Sequence, residues 1–170
     1  MKFGLILSAA AALLLTVSCN SDKRKSFDDV VEYNDFIVDH INALDSAYIL
    51  SLATDNGYEE CLKKCDVLVK LCDKTTADFK GIQPYEGDST LTMQALAYTQ
   101  FMRNNGEKEI KNLLKLIQKY ENASFEEQEA MSEEVQMAAE KIDKQYDIEI
   151  NKVDKVQQKF SQKFNFTVLK

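Results

Sequence analysis

Along the chain, apolar side chains return every three or four positions in four successive stretches, and the alternation expected of strands is missing. A period near 3.6 predicts amphipathic helices, each burying one stripe. The first is expected from about Phe27 to Ala53, with Val30, Asn34, Ile37, Ile41, Leu44, Tyr48 and Leu52 in phase. Ser26 would cap it, and Asp28 and Asp29 suit the positive end of a helix dipole. Asp55-Asn56-Gly57 reads as a turn. The second helix, about Tyr58 to Phe79, carries Tyr58, Cys61, Leu62, Cys65, Leu68, Val69 and Cys72, and a loop follows over Lys80 to Asp88.

The third stripe runs Leu91, Ala95, Tyr98, Met102, Gly106, Ile110, Leu113, Ile117, Tyr120. It crosses Asn104-Asn105-Gly106 in phase, which favours one helix from about Ser89 to Glu121 with Gly106 admitting a close neighbour; a true turn there is the alternative. Ser124-Phe-Glu-Glu127 has the pattern of a capping box. It opens a fourth helix that keeps Met131, Val135, Ala138, Ile142, Tyr146, Glu149, Val153, Val156, Phe160 and Phe164 in phase, about 60 Å long at 1.5 Å per residue. Phe166, Val168 and Leu169 are expected to fold back on the body. Short connections favour antiparallel neighbours, so the expected fold is all-α: an antiparallel up-down four-helix bundle with long third and fourth helices.

Before the first helix the pattern changes. Phe3 to Val17 is apolar or small, follows Met1-Lys2, and stops at Ser18-Cys19 before Asn20, Ser21 and Asp22. The run has the length of a secretory h-region and is short for a membrane-spanning helix. It resembles a bacterial lipoprotein leader, in which the cysteine is lipidated and becomes the new N-terminus, with Thr16 where leucine is usual and Leu15 beside it. The resemblance implies a signal peptide over 1–18, a lipidated Cys19 with a short linker over 19–26, and a bundle domain over 27–170. Ordinary cleavage near Ser18, giving a secreted protein, is the alternative.

Charge now matters. Of 21 basic residues only Lys2 lies in the leader, so 20 remain against 28 acidic ones, a formal charge of −8. Such a surface disfavours nucleic acid as a partner. Lys23-Arg24-Lys25 is a local exception beside the anchor, read chiefly as solvated linker.

Candidate chemistry is sparse. Cys61, Cys65 and Cys72 share the core stripe, where thiols serve as small hydrophobes. Cys61 and Cys72 stand about 16 Å apart along a helix, too far for one ion. Cys61 and Cys65 would need further ligands, with His40 the obvious candidate, and a disulfide between them is geometrically awkward. They are therefore read as core thiols, and no metal or cofactor is expected. Asp28, Glu32, Asp35 and Asp39 form an acidic stripe opposite the apolar one, read as a solvated face. So is the cluster Glu126, Glu127, Glu129, Glu133, Glu134. Asn34 falls on the core stripe, where a buried amide fixes register against a partner helix. The one histidine excludes a di-iron bundle, and haem, HExxH and phosphate-loop motifs are absent.

With the leader, EYNDFIV at the first helix and QQKFSQKFNFTVL at the end, the chain resembles uncharacterised helical surface lipoproteins of Bacteroidetes, with relatives in spirochaetes. The resemblance implies place and fold, and brings no activity. The expectation is an envelope lipoprotein, lipid-anchored to the outer membrane and not an enzyme. It would serve as an interaction or structural module whose protein partner is unknown. The alternative is an extracytoplasmic small-ligand or metal-binding protein with a pocket near Gly106 and the Cys61/Cys65 face.

Overall fold

The structure, a computed structural model, describes residues 24–53 and 57–168. Among them it is all-helical, with four helices packed together and no strand. Helix α1 spans Val30–Leu52. It begins where Asp29 turns its carboxylate onto the N–H groups of Val31 at 2.7 Å and Glu32 at 3.0 Å. That cap relieves two donors the helix cannot satisfy itself, so the helix starts after Asp29, past the expected Ser26. Helix α2, Tyr58–Lys80, follows Gly57, whose φ of +84° is open to glycine at little cost.

Between α2 and the next helix the chain is stitched to the N-terminal segment. The Lys25 N–H donates to the Gly81 carbonyl and the Gln83 N–H to the Lys25 carbonyl, both at 2.8 Å. Residue 25, expected in a linker, is thus part of the folded body. Helix α3, Thr90–Asn104, continues through a π-helical turn, Asn105–Glu109, into α4, Ile110–Glu121. There is no break at Asn104-Asn105-Gly106. The extra residue is absorbed as a wider turn, a distortion that bends or marks helices at particular points. A Cβ added at Gly106 would stand 3.0 Å from Leu68 Cδ2 and 3.3 Å from Val69 Cγ2, so glycine is what lets α2 approach.

Helix α5, Phe125–Phe164, opens with the Ser124 N–H donating to the Glu127 carboxylate at 2.9 Å. It ends at Asn165, in the left-handed region with φ +55°, and the Phe166 N–H then returns to the Ser161 carbonyl at 3.1 Å. Phe166 packs on Phe160, so this part of the tail does fold back, while Leu169 lies outside the described residues.

The core is drawn largely from the expected stripes, with Tyr33, Phe79, Ile82 and Leu114 and the polar Ser51, Thr75, Thr92, Thr99, Asn105 and Ser161 added. Each fully buried Ile, Leu or Phe is worth about 1.5–3 kcal/mol over the exposed state. Burial is uneven along the molecule. In α4 it stops at Leu114, in α5 it begins at Ile142, and no residue from Lys115 to Lys141 is buried.

Candidate functional site

The residues singled out from sequence fall in different places. Cys19 lies outside the described residues. Asn34 is 5% exposed; Gln157 of α5 donates to its Oδ1 at 3.0 Å, and its own Nδ2 donates to Asp35 at 3.1 Å. The amide therefore joins α1 to α5. Cys61, Cys65 and Cys72 are buried free thiols. Cys61 points at the Ala53 carbonyl, 3.2 Å away. Burial pushes Cys65 up to about 11 and Cys72 up to about 12, so both are neutral at physiological pH and poor nucleophiles.

His40 lies far along α2 from Cys61 and Cys65. Its Nδ1 meets the Phe36 carbonyl at 2.7 Å and its Nε2 meets Asp78 at 3.1 Å, with the ring against Phe36 and Phe79. Asp78 is roughly 25 Å along α2 from Cys61 at 1.5 Å per residue, so one ion cannot engage both. Among the described residues no group of three or more His, Cys, Asp or Glu is disposed to hold a metal ion. Asp28, Glu32, Asp35 and Asp39 are all exposed.

A polar cluster that sequence reasoning missed sits between α1, α3 and α5. The Tyr98 hydroxyl donates to Asp45 Oδ1, and Tyr146 bonds the same carboxylate. Tyr48 stacks on Tyr146, with centroids 5.0 Å apart and planes 9° from parallel. The Tyr48 hydroxyl is buried without a partner. Burial pushes the Asp45 carboxyl above its ordinary range, with the tyrosine hydroxyls pulling it down and Asp154 pushing it up. Burial also raises Tyr98, reinforced by Asp45. Phenols held this way give up no proton near neutrality, so the cluster positions helices and is poorly suited to acid–base work. A signal was present in the sequence: Tyr48, Tyr98 and Tyr146 all lie on core stripes, and buried tyrosines seek partners for their hydroxyls.

Several clefts flank α5 among the described residues. One, about 400 Å³, runs between α4 and α5 beside Leu113, Leu116, Ala138 and Ile142. Another, about 260 Å³, lies between the π-helical turn and α5, with Phe101, Asn105, Glu109, Gln145, Ile148 and Glu149 in its walls. The alternative, ligand-binding reading placed a pocket near Gly106 and the Cys61/Cys65 face; at Gly106 the side chains of Leu68 and Val69 fill the space. Asn105, read from sequence as part of a weak point, is only 2% exposed. Its Nδ2 donates to the Phe101 carbonyl at 3.1 Å, which identifies Oδ1 as the atom left without a partner.

Compared with known proteins, the chain matches no family model, no curated protein and no solved structure.

Proposed function

We propose that this chain is a lipid-anchored protein of the bacterial cell envelope, held to the outer membrane through Cys19, whose helical body is a non-enzymatic interaction or structural module. The observation that carries the reading is the leader itself: an apolar run of h-region length ending at Ser18-Cys19 and followed by polar residues. The resemblance to helical surface lipoproteins of Bacteroidetes points the same way. Arg24, where the described body begins, is five residues past Cys19, a span of at most about 18 Å when extended. The body then stands against the membrane with the start of α1 toward it.

The same reading includes an antiparallel, up-down order of helices. Three contacts support it. Tyr33 near the start of α1 meets Phe160 near the end of α5, with ring centroids 5.6 Å apart. Lys25 pairs with Gly81 after α2. Cys61 at the start of α2 meets Ala53 at the end of α1.

Metabolic labelling with a palmitate analogue tests the anchor. The wild-type chain should take up label and sediment with membranes, and Cys19→Ala should lose both properties. Equal labelling of the two would overturn the reading. Secretion of an unlabelled wild-type chain would return the leader to an ordinary signal peptide.

A further inference from the structure

We propose that the α4–α5 hairpin is a self-association surface. Two copies of this chain lay their hairpins face to face and pointing the same way, with α4 of each copy against α5 of the other. This deepens the interaction-module reading, on which it rests, by naming the partner, and it does not depend on the lipid anchor.

The hairpin carries an apolar face that its own fold leaves uncovered. From Lys115 to Lys141 no residue is buried, yet the helical spacing of apolar side chains continues. Met131, Val135 and Ala138 stay in phase with the buried Ile142, and Leu116, Ile117 and Tyr120 prolong α4 beyond Leu113; all six are only half-buried. Between the two helices lies a groove. The 400 Å³ cleft beside Leu113, Leu116, Ala138 and Ile142 meets, at Lys119, a further hollow of about 460 Å³ beside Ala123, Ala130 and Met131. Glu127, Ala130, Glu134, Ala138 and Lys141 follow one another at steps of three or four, so they share one face of α5.

Charge says what covers this groove. Along the α4 side the rim carries Lys115 and Lys119; along the α5 side it carries Glu127 and Glu134. At the root the signs are exchanged, with Glu109 before α4 and Lys141 on α5, 3.4 Å apart. Lys115 and Glu134 are exposed, and among the described residues neither has an ion-pair partner in its own copy. A uniformly acidic or basic partner would be repelled by one rim or the other. A second copy is not. A two-fold axis parallel to the hairpin sets α4 of one copy over α5 of the other at the same level, and the reverse. Lys115 then faces Glu134 of the other copy, Lys119 faces Glu127, and Glu109 faces Lys141, so one surface supplies both halves of a closed dimer. An axis across the hairpin would lay α4 along α4 and α5 along α5, and the match of basic helix to acidic helix would be given up. The groove is short, which places the contact in the weak class burying less than about 1,200 Å² in all. In dilute solution the hairpin is therefore bare.

Two differently tagged full-length copies, co-expressed in one cell and briefly crosslinked with formaldehyde, test this. Purification through one tag should recover the other, in a band of twice the chain mass. Lys115→Glu in both copies, or Glu134→Lys in both, should cut recovery about tenfold, because each symmetric contact then sets like charges together. A Lys115→Glu copy beside a Glu134→Lys copy should recover to the wild-type level, since both contacts are again of opposite sign. Both side chains are exposed, so the variants disturb no buried contact. No effect within a single copy can produce that rescue. Absence of recovery between wild-type copies, recovery unchanged in the single-charge variants, or failure of the mixed pair overturns the assignment. Crosslinking to a different protein in place of a second copy overturns it too. Cys19→Ala copies carrying the same charge variants should show the same order of recovery, which separates this contact from the fate of the anchor.

Discussion

At the scale of single residues, the most consequential group is Asp45. Its carboxyl is pushed up by burial, and Tyr98 and Tyr146 restrain that rise without cancelling it. A carboxyl whose folded pKa exceeds its unfolded one binds its proton more tightly when folded. Its contribution to stability is therefore present in full below the unfolded pKa and is lost as pH climbs through the folded one. Ionised Asp45 is a cost near neutrality. Asp45→Asn keeps an oxygen to accept from Tyr98 and removes the ionisation. Its stability relative to wild type should be highest at pH 7 and should decline toward pH 4, as wild-type Asp45 takes up its proton. Urea unfolding of both proteins at the two pH values reads this directly, and a difference that is constant with pH would show that Asp45 is not the titrating group. The hydroxyl of Tyr48 belongs to the same neighbourhood and has no hydrogen bond at all. Its phenol is raised by burial, with Asp143 and Tyr146 adding to the effect.

Between elements, the informative contact is the Asn34–Gln157 pair, which ties the first turns of α1 to the last turns of α5. An amide pair inside an apolar seam costs stability and penalises slipped registers, because slippage buries both groups unpaired. Asn34→Leu should raise the thermal midpoint, by the equivalent of about 1 kcal/mol, since Gln157 is half-buried and can turn to water. It should also loosen the α1–α5 register, seen as broadened or doubled amide signals along both helices. A sharp single set of signals in the variant, or a marked fall in the midpoint, would remove Asn34 from this role. Much at this scale was legible in the pattern of residues. The 3.6-residue stripes located the helices because burial of one face is what defines them, and Asn34 stood out as the amide on an apolar stripe. Other features were not legible. Asp29 rather than Ser26 caps α1, a choice between neighbouring cap formers that tertiary contacts of residue 25 decide. The π-helical turn inserts one residue without breaking the helix, so a periodicity that continues in phase cannot reveal it. Asn105 and Asp45 were hidden because a polar residue next to a stripe reads as surface until its neighbours on other helices are known.

For the whole molecule, burial is graded along its length, and stability should follow. The portion around α1 and the second half of α5 contains the aromatic cluster, the Asp45 group and the buried thiols. Beyond Leu114 and before Ile142 the chain has no buried residue, and Phe125 at the turn between α4 and α5 is 81% exposed. Helices there bury no side chain and carry exposed ion pairs such as Lys141–Glu109 that contribute little. Regions with few buried apolar contacts open with free energies well below that of global unfolding. Amide hydrogen exchange at neutral pH should therefore be fastest, among the helices, over residues 115–141. The slowest amides should lie in 33–48, 91–102 and 153–161. Glu121 and Ser124 bracket the turn, so the two strands of this hairpin should exchange together as one unit. Uniform protection along α5 would contradict the gradient, and would mean that the first half of that helix is held by contacts beyond those made within one copy of the chain.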